Sequence, residues 1–200
     1  MKDSHLIMHG IAVKKYCGSE DICSLTQLPP DRVRTLLDEA LATGRVAEVN
    51  GRYMLTPAGQ VLLRSSYARS CAALREDQDF LSAYEDFEKI NIDLKQTITD
   101  WQTLSIGGQK VPNDHSDKAY DDSVIDRVGR IHDAAEGILK RLGKQVPRLD
   151  RYNGSLLKAL EKAEDGDIQW VSDAKTESYH TVWFELHEDL LRLVGREREE

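Results

Sequence analysis

Apolar residues recur at three- and four-residue intervals along most of this chain, and the helical rhythm gives way early to one short alternating stretch. Val33, Leu36, Leu37, Ala40 and Leu41 form one apolar stripe, which predicts a helix beginning after Pro29-Pro30. Proline blocks continuation of anything helical before it and presets φ for a new first turn. Gly44 stands where a left-handed residue ends such a helix. Val46-Ala47-Glu48-Val49 and Tyr53-Met54-Leu55 then flank Asn50-Gly51, the dipeptide best suited to a two-residue hairpin turn. Thr56-Pro57 offers an N-cap and a first-turn proline to the next helix. Upstream, Leu6, Ile7, Ile11, Ala12 and Tyr16 predict a first helix ending near Gly18. Ser19, Asp21 and Ile22 predict a second running towards Leu28.

Three helices, a hairpin and a further helix in that order resemble the winged helix-turn-helix domains of MarR-like bacterial regulators. Leu55-Thr56-Pro57-Ala58-Gly59 is the matching phrase between wing and helix. The resemblance implies a domain over residues 1–66 that binds double-stranded DNA. Arg32, Arg34 and Thr35 lie at the start of the third helix, where base contacts are usually made. Arg45 and Arg52 bracket the wing strands and are expected to hold phosphates. DNA sites are commonly two-fold symmetric, so a homodimer is expected as well. The alternative is the same fold used for protein contact, with its arginines in ordinary surface pairs.

Beyond Ser65 the pattern becomes long and helical, without a strand signal. Phe80, Tyr84, Phe87, Leu94, Ile98 and Trp101 follow a heptad seam in which Asn91 takes the open slot. Tyr120, Val124, Val128, Ile131, Ala135, Ile138 and Leu142 make a second seam. Leu149, Tyr152, Leu156, Leu160 and Ala163 make a third, and Tyr179, Trp183, Leu186, Leu190 and Leu193 a fourth. Short connections at 143–148 and 165–176 favour antiparallel neighbours. The expected fold is therefore mainly α: a winged helix followed by an antiparallel helical bundle over 67–200, serving dimerisation or ligand sensing.

Charge tempers the DNA reading. The 200-residue chain carries a formal net charge of −8. Residues 1–66 hold eight Lys or Arg against seven Asp or Glu, leaving 19 against 28 in the remainder. DNA affinity rests largely on phosphate neutralisation, and Asp31, Asp38, Glu39 and Glu48 oppose the arginines. No run approaches the roughly 18 apolar residues of a membrane span, and Met1-Lys2-Asp3-Ser4-His5 lacks the basic start of a signal peptide. Cys17, Cys23 and Cys71 form no metal-type pair. A cytoplasmic location with reduced thiols is expected.

Two polar segments stand out in the helical region: 111–122, containing Asp114 and His115, and 178–189, containing His180 and His187. Both histidines of the second segment fall at the edge of an apolar helix face. With Asn91 they suggest a ligand pocket of Asn91, Asp114, His115, His180 and His187. The bland alternatives are hydrogen-bonded inward histidines, a turn that caps the next helix, and an asparagine that sets helix register. No metal site is expected. His180 and His187 are seven residues apart, about 10.5 Å along a helix, whereas single-metal pairs on a helix are usually three or four apart.

A second resemblance spans nearly the whole chain. Thr99-Asp100-Trp101-Gln102, Pro112-Asn113-Asp114-His115-Ser116-Asp117 and the run from Ser178 to Glu188 resemble phrases of an uncharacterised bacterial family. Its members are sometimes appended to proteins like pyruvate, phosphate dikinase. That implies a phosphoenolpyruvate-utilising enzyme as partner. The chain has no Gly-rich phosphate loop, no phosphohistidine motif and no nucleophile elbow or dinucleotide fingerprint. It is expected to need no cofactor and not to be an enzyme. Asp121-Asp122 reads as a solvated pair at a helix start.

Overall fold

A computed structural model describes residues 1–197, apart from the side chain of Ile106. The chain is mainly helical and divides into two compact units, residues 1–78 with 187 onward, and residues 79–186. Residues 198–200 of the expected second domain lie outside the described residues. The first unit contains α1 (Asp3–Lys14), α2 (Ser19–Thr26), α3 (Pro30–Ala42), β1 (Val46–Val49), β2 (Arg52–Leu55), α4 (Pro57–Ser70) and α5 (Ala72–Glu76). The second contains α6 (Gln78–Gln102), β3 (Thr103–Ile106), β4 (Gln109–Pro112), α7 (Lys118–Gln145), a 3-10 turn (Pro147–Leu149), α8 (Asp150–Glu164) and α9 (Gln169–Ser172). The last helix, α10 (Tyr179–Val194), gives residues to both units.

Local chemistry accounts for the first unit. Pro30 opens α3, whose Val33, Leu36, Leu37 and Ala40 are buried. Gly44, at φ 64°, ends it. The Gly44 N–H donates to the Leu41 carbonyl and the Arg45 N–H to the Ala40 carbonyl, the paired closing bonds of a left-handed helix stop. Asn50 and Gly51 both have positive φ, as a turn matched to strand twist requires. The turn pairs β1 with β2, Val46 opposite Leu55 and Val49 opposite Arg52. Cys17 adds a bridge to Tyr53 on the outer side of β2. Thr56 then caps α4, its Oγ1 accepting from the Gly59 N–H at 3.1 Å.

The expected boundary at residue 66 falls inside α4. The helix continues to Ser70, and two long-range ties hold its extension and the following α5 within the first unit. The Tyr67 hydroxyl meets His9 on α1, and Arg75 donates to the carbonyls of Leu193 and Arg192.

The second unit is bundle-like. Arg127 pairs with Asp100 and Arg141 with Asp86, so residues rise along α7 as they fall along α6; the two helices are antiparallel. Gly143 lies beside Asp150 and Gly129 beside Glu164, which makes α7 and α8 antiparallel too. The absence of a strand signal after Ser65 needs correction. β3 and β4 form a hairpin through Gly107-Gly108, both at positive φ, with Thr103 opposite Pro112. The buried face of α7 is also turned slightly from the expected seam. His132 and Leu139 are buried while Ile131 and Ile138 are half-exposed.

Candidate functional site

The exposed face of α3 carries the expected base-reading residues together. Val33, Leu36 and Leu37 point into the core, which leaves Arg32, Arg34 and Thr35 on the solvent side. Thr35 donates its hydroxyl to the Asp31 carbonyl and keeps its oxygen as an acceptor. Arg32 donates from Nε to Asp3 at 3.0 Å, and both side chains are about half exposed. Arg34 lies 3.5 Å from Asp31 and is 74% exposed. Exposed pairs of this kind contribute about 0–1 kcal/mol, so both guanidinium groups can exchange a carboxylate for another anion. Asp38 and Glu39 share the exposed side of the same helix.

Arg45 and Arg52 differ from each other. Arg52 is tied to its own scaffold: it donates to the Tyr16 carbonyl at 3.0 Å, approaches Asp21 at 3.9 Å and lies over the Tyr16 ring. Arg45 is half-buried. Its field acts on His5 together with those of Lys2 and Arg69. Partial burial first, and then these cations, hold His5 below its ordinary range.

The five residues of the expected ligand pocket do not share one unit. His187 belongs to the first unit and is buried, while Asn91, Asp114, His115 and His180 belong to the second. Asn91 is buried and uses both ends of its amide. Its oxygen accepts from the Trp183 indole N–H at 3.0 Å, and its nitrogen donates to Glu88 at 3.3 Å. Asp114 is exposed and accepts from the Ser116 N–H, closing a turn. The hydrogen bonds from Ser116 keep its carboxyl below the usual carboxylate range. His180 is half-buried on α10.

His115, at φ 57°, closes a cluster that the sequence reading only half anticipated. Its Nδ1 meets the Asp121 carboxylate at 3.0 Å, and its ring lies 4.5 Å from that of Trp101. Asn113 donates to the Trp101 carbonyl and to Asp121. Asp121 is thus a buried acceptor and not a solvated helix-start acid, because the loop folds back over it. Among the described residues, no group of three His, Cys, Asp or Glu side chains is placed to hold a metal ion. No described helix is long and apolar enough to cross a membrane.

Sequence reasoning missed a fully buried polar group of the first unit. His9 is fully buried between the Tyr67 hydroxyl, 2.7 Å from Nδ1, and the Asp189 carboxylate, 2.8 Å from Nε2. With Nε2–H donating to Asp189, Nδ1 accepts from the phenol. Burial pushes the Tyr67 phenol well above its ordinary range, and the neighbouring Arg192 only partly opposes this. Tyr67 therefore stays a neutral donor. The one sequence signal was a histidine inside the apolar run Leu6-Ile7-Met8-His9-Gly10-Ile11.

Comparison with known proteins finds no matching family model, no matching curated protein and no matching solved structure.

Proposed function

We propose that the first unit is a winged helix that reads duplex DNA, within a homodimeric cytoplasmic regulator that has no catalytic step of its own. The observation that carries this reading is the outward face of α3, where Arg32, Arg34 and Thr35 stand clear of the core beside a two-stranded hairpin. Recognition helices present their first turns in this way, with the hairpin free to reach the neighbouring backbone. The cations around Arg45 supply sequence-independent attraction to phosphate. Arg52 contributes less than its position suggests, because Tyr16 and Asp21 already engage it.

The acid content of α3 favours one second reading. Asp31, Asp38 and Glu39 lie on its exposed side, and the chain is acidic as a whole. A protein-contacting module, associated with a phosphoenolpyruvate-utilising enzyme, fits that balance.

Fluorescence anisotropy of labelled duplex DNA across a salt series from about 50 to 300 mM separates the two. The DNA reading expects affinity that falls steeply with salt and falls again, by about tenfold or more, in the double variant Arg32→Glu, Arg34→Glu. No binding at the lowest salt would overturn it in favour of the protein module.

A further inference from the structure

We propose that the open cleft lined by α1, β2, α4 and α10 in the first unit is a binding site for a small organic anion, its acidic head held by Arg192 and Arg64 and its apolar body against Ile11, Met54 and Leu63. The cavity measures about 440 Å³, within the range of small-molecule sites and well above the needs of one inorganic ion.

Its walls come from elements whose spacing directs side chains to one side. Gln60, Leu63, Arg64 and Tyr67 recur at helical intervals along α4. Lys15 follows the last turn of α1, and Arg192 enters from α10. Among the described residues, the cations Lys15, Arg64 and Arg192 line the space and no carboxylate does. Arg192 is fixed by Glu188, which accepts from its Nη2 at 2.7 Å. Its Nε is buried and has no hydrogen-bond partner. The Arg192 side chain as a whole is 30% exposed, so its guanidinium keeps a face from which it can donate to an anion beside it. Arg64 is exposed on α4, so its charge is available to the same anion.

Two further features fit a ligand and not a packing defect. Tyr67 is held at the wall by His9, which Asp189 fixes in turn, so its position is set before anything binds. The apolar side of the cavity belongs partly to β2, through Met54 and Leu55. A second cavity of about 420 Å³ adjoins the first through Arg64, Tyr67 and Arg192, but Glu188 and Glu197 line it too, so the acidic head belongs to the first. Carboxylates and phosphate monoesters both satisfy this set of donors. The site stands whether or not the chain binds DNA.

Isothermal titration calorimetry of the full chain, with 4-phenylbutyrate, phenyl phosphate, inorganic phosphate and the neutral 4-phenylbutanol, tests the proposal. One site per chain is expected for an organic anion, with Kd about 1 mM or tighter. The alcohol and inorganic phosphate should each bind at least about tenfold more weakly. Preference for the carboxylate or for the phosphate ester would support the site and name its headgroup. Arg64→Met, at an exposed position, should weaken binding about fivefold or more with an unchanged circular dichroism melt; Arg192→Met should do so more strongly. No heat from either organic anion up to about 10 mM would overturn the proposal. So would an alcohol or inorganic phosphate bound as tightly, or affinities that neither substitution changes.

Discussion

Asn91 shows how one residue can look like a ligand group and act as a packing device. An amide in an apolar seam needs partners for both of its ends. Here its oxygen receives the single N–H of Trp183, whose ring stacks on Phe87 with centroids 4.9 Å apart. Asn91→Leu keeps the volume but leaves the indole N–H without that acceptor. The expected cost is about 1–3 kcal/mol, read as a lower thermal midpoint, and an unchanged midpoint would show that the bond contributes nothing. His132 has a different signature. Burial holds it below its ordinary value of 6.5, against the pull of Asp133, Glu136 and Glu164. The unfolded chain therefore takes up a proton below 6.5 that the folded chain resists. The stability tied to this site is intact above 6.5 and drains away as pH falls through that value towards the lower folded one. His132→Leu should flatten that limb in urea titrations run at several pH values; an unchanged limb would assign it to other groups.

The turn chemistry of individual elements is strict where backbones come close. Gly59 starts α4 against the preceding loop, and a Cβ there would fall on the carbonyl oxygen of Arg45. That carbonyl already accepts from the Thr56 N–H, so neither side can yield without opening the entry to the helix. Gly59→Ala should cost about 2 kcal/mol or more, seen as a lower urea midpoint with unchanged slope. A neutral result would mean that α4 can shift as a whole. The two hairpins make an instructive pair. Asn50-Gly51 lies between alternating residues with proline-bounded helices on either side, and it was legible. Gly107-Gly108 carries an equally good signal between Leu104-Ser105-Ile106 and Gln109-Lys110-Val111. It is obscured because the helical period of α6 runs without a break to Trp101, one residue short of β3.

At the scale of the whole molecule, net charge and local charge pull in different directions. A chain at −8 repels DNA at long range, so any affinity must come from local cations of the first unit such as Lys2, Arg45 and Arg69. Each phosphate contact contributes about −0.9 to the logarithmic salt slope. If Arg45 holds one phosphate, the slope should fall by about one in Arg45→Ala. Unit membership follows contacts that no periodicity encodes. Arg75 reaches carbonyls more than a hundred residues away along the chain, which is why the first compact unit runs past α4 and takes in residues from 187 onward.

The amino-acid order alone determined the local elements: where α3 starts and stops, the β1–β2 turn, the cap of α4, the apolar stripes of α6, α8 and α10, and that of α7 in part. These depend on φ preferences, capping groups and side-chain period, all of which act within a few residues. Only the tertiary structure decided which stripes meet. It set Asp189 against His9 across 180 positions, turned Asp121 inward onto His115, gave Arg52 to Tyr16, and brought Arg192 and Arg64 together at one cleft. A sequence pattern says which side chains share a face. Which faces pack together is settled by the mutual fit and polar satisfaction of distant parts of the chain.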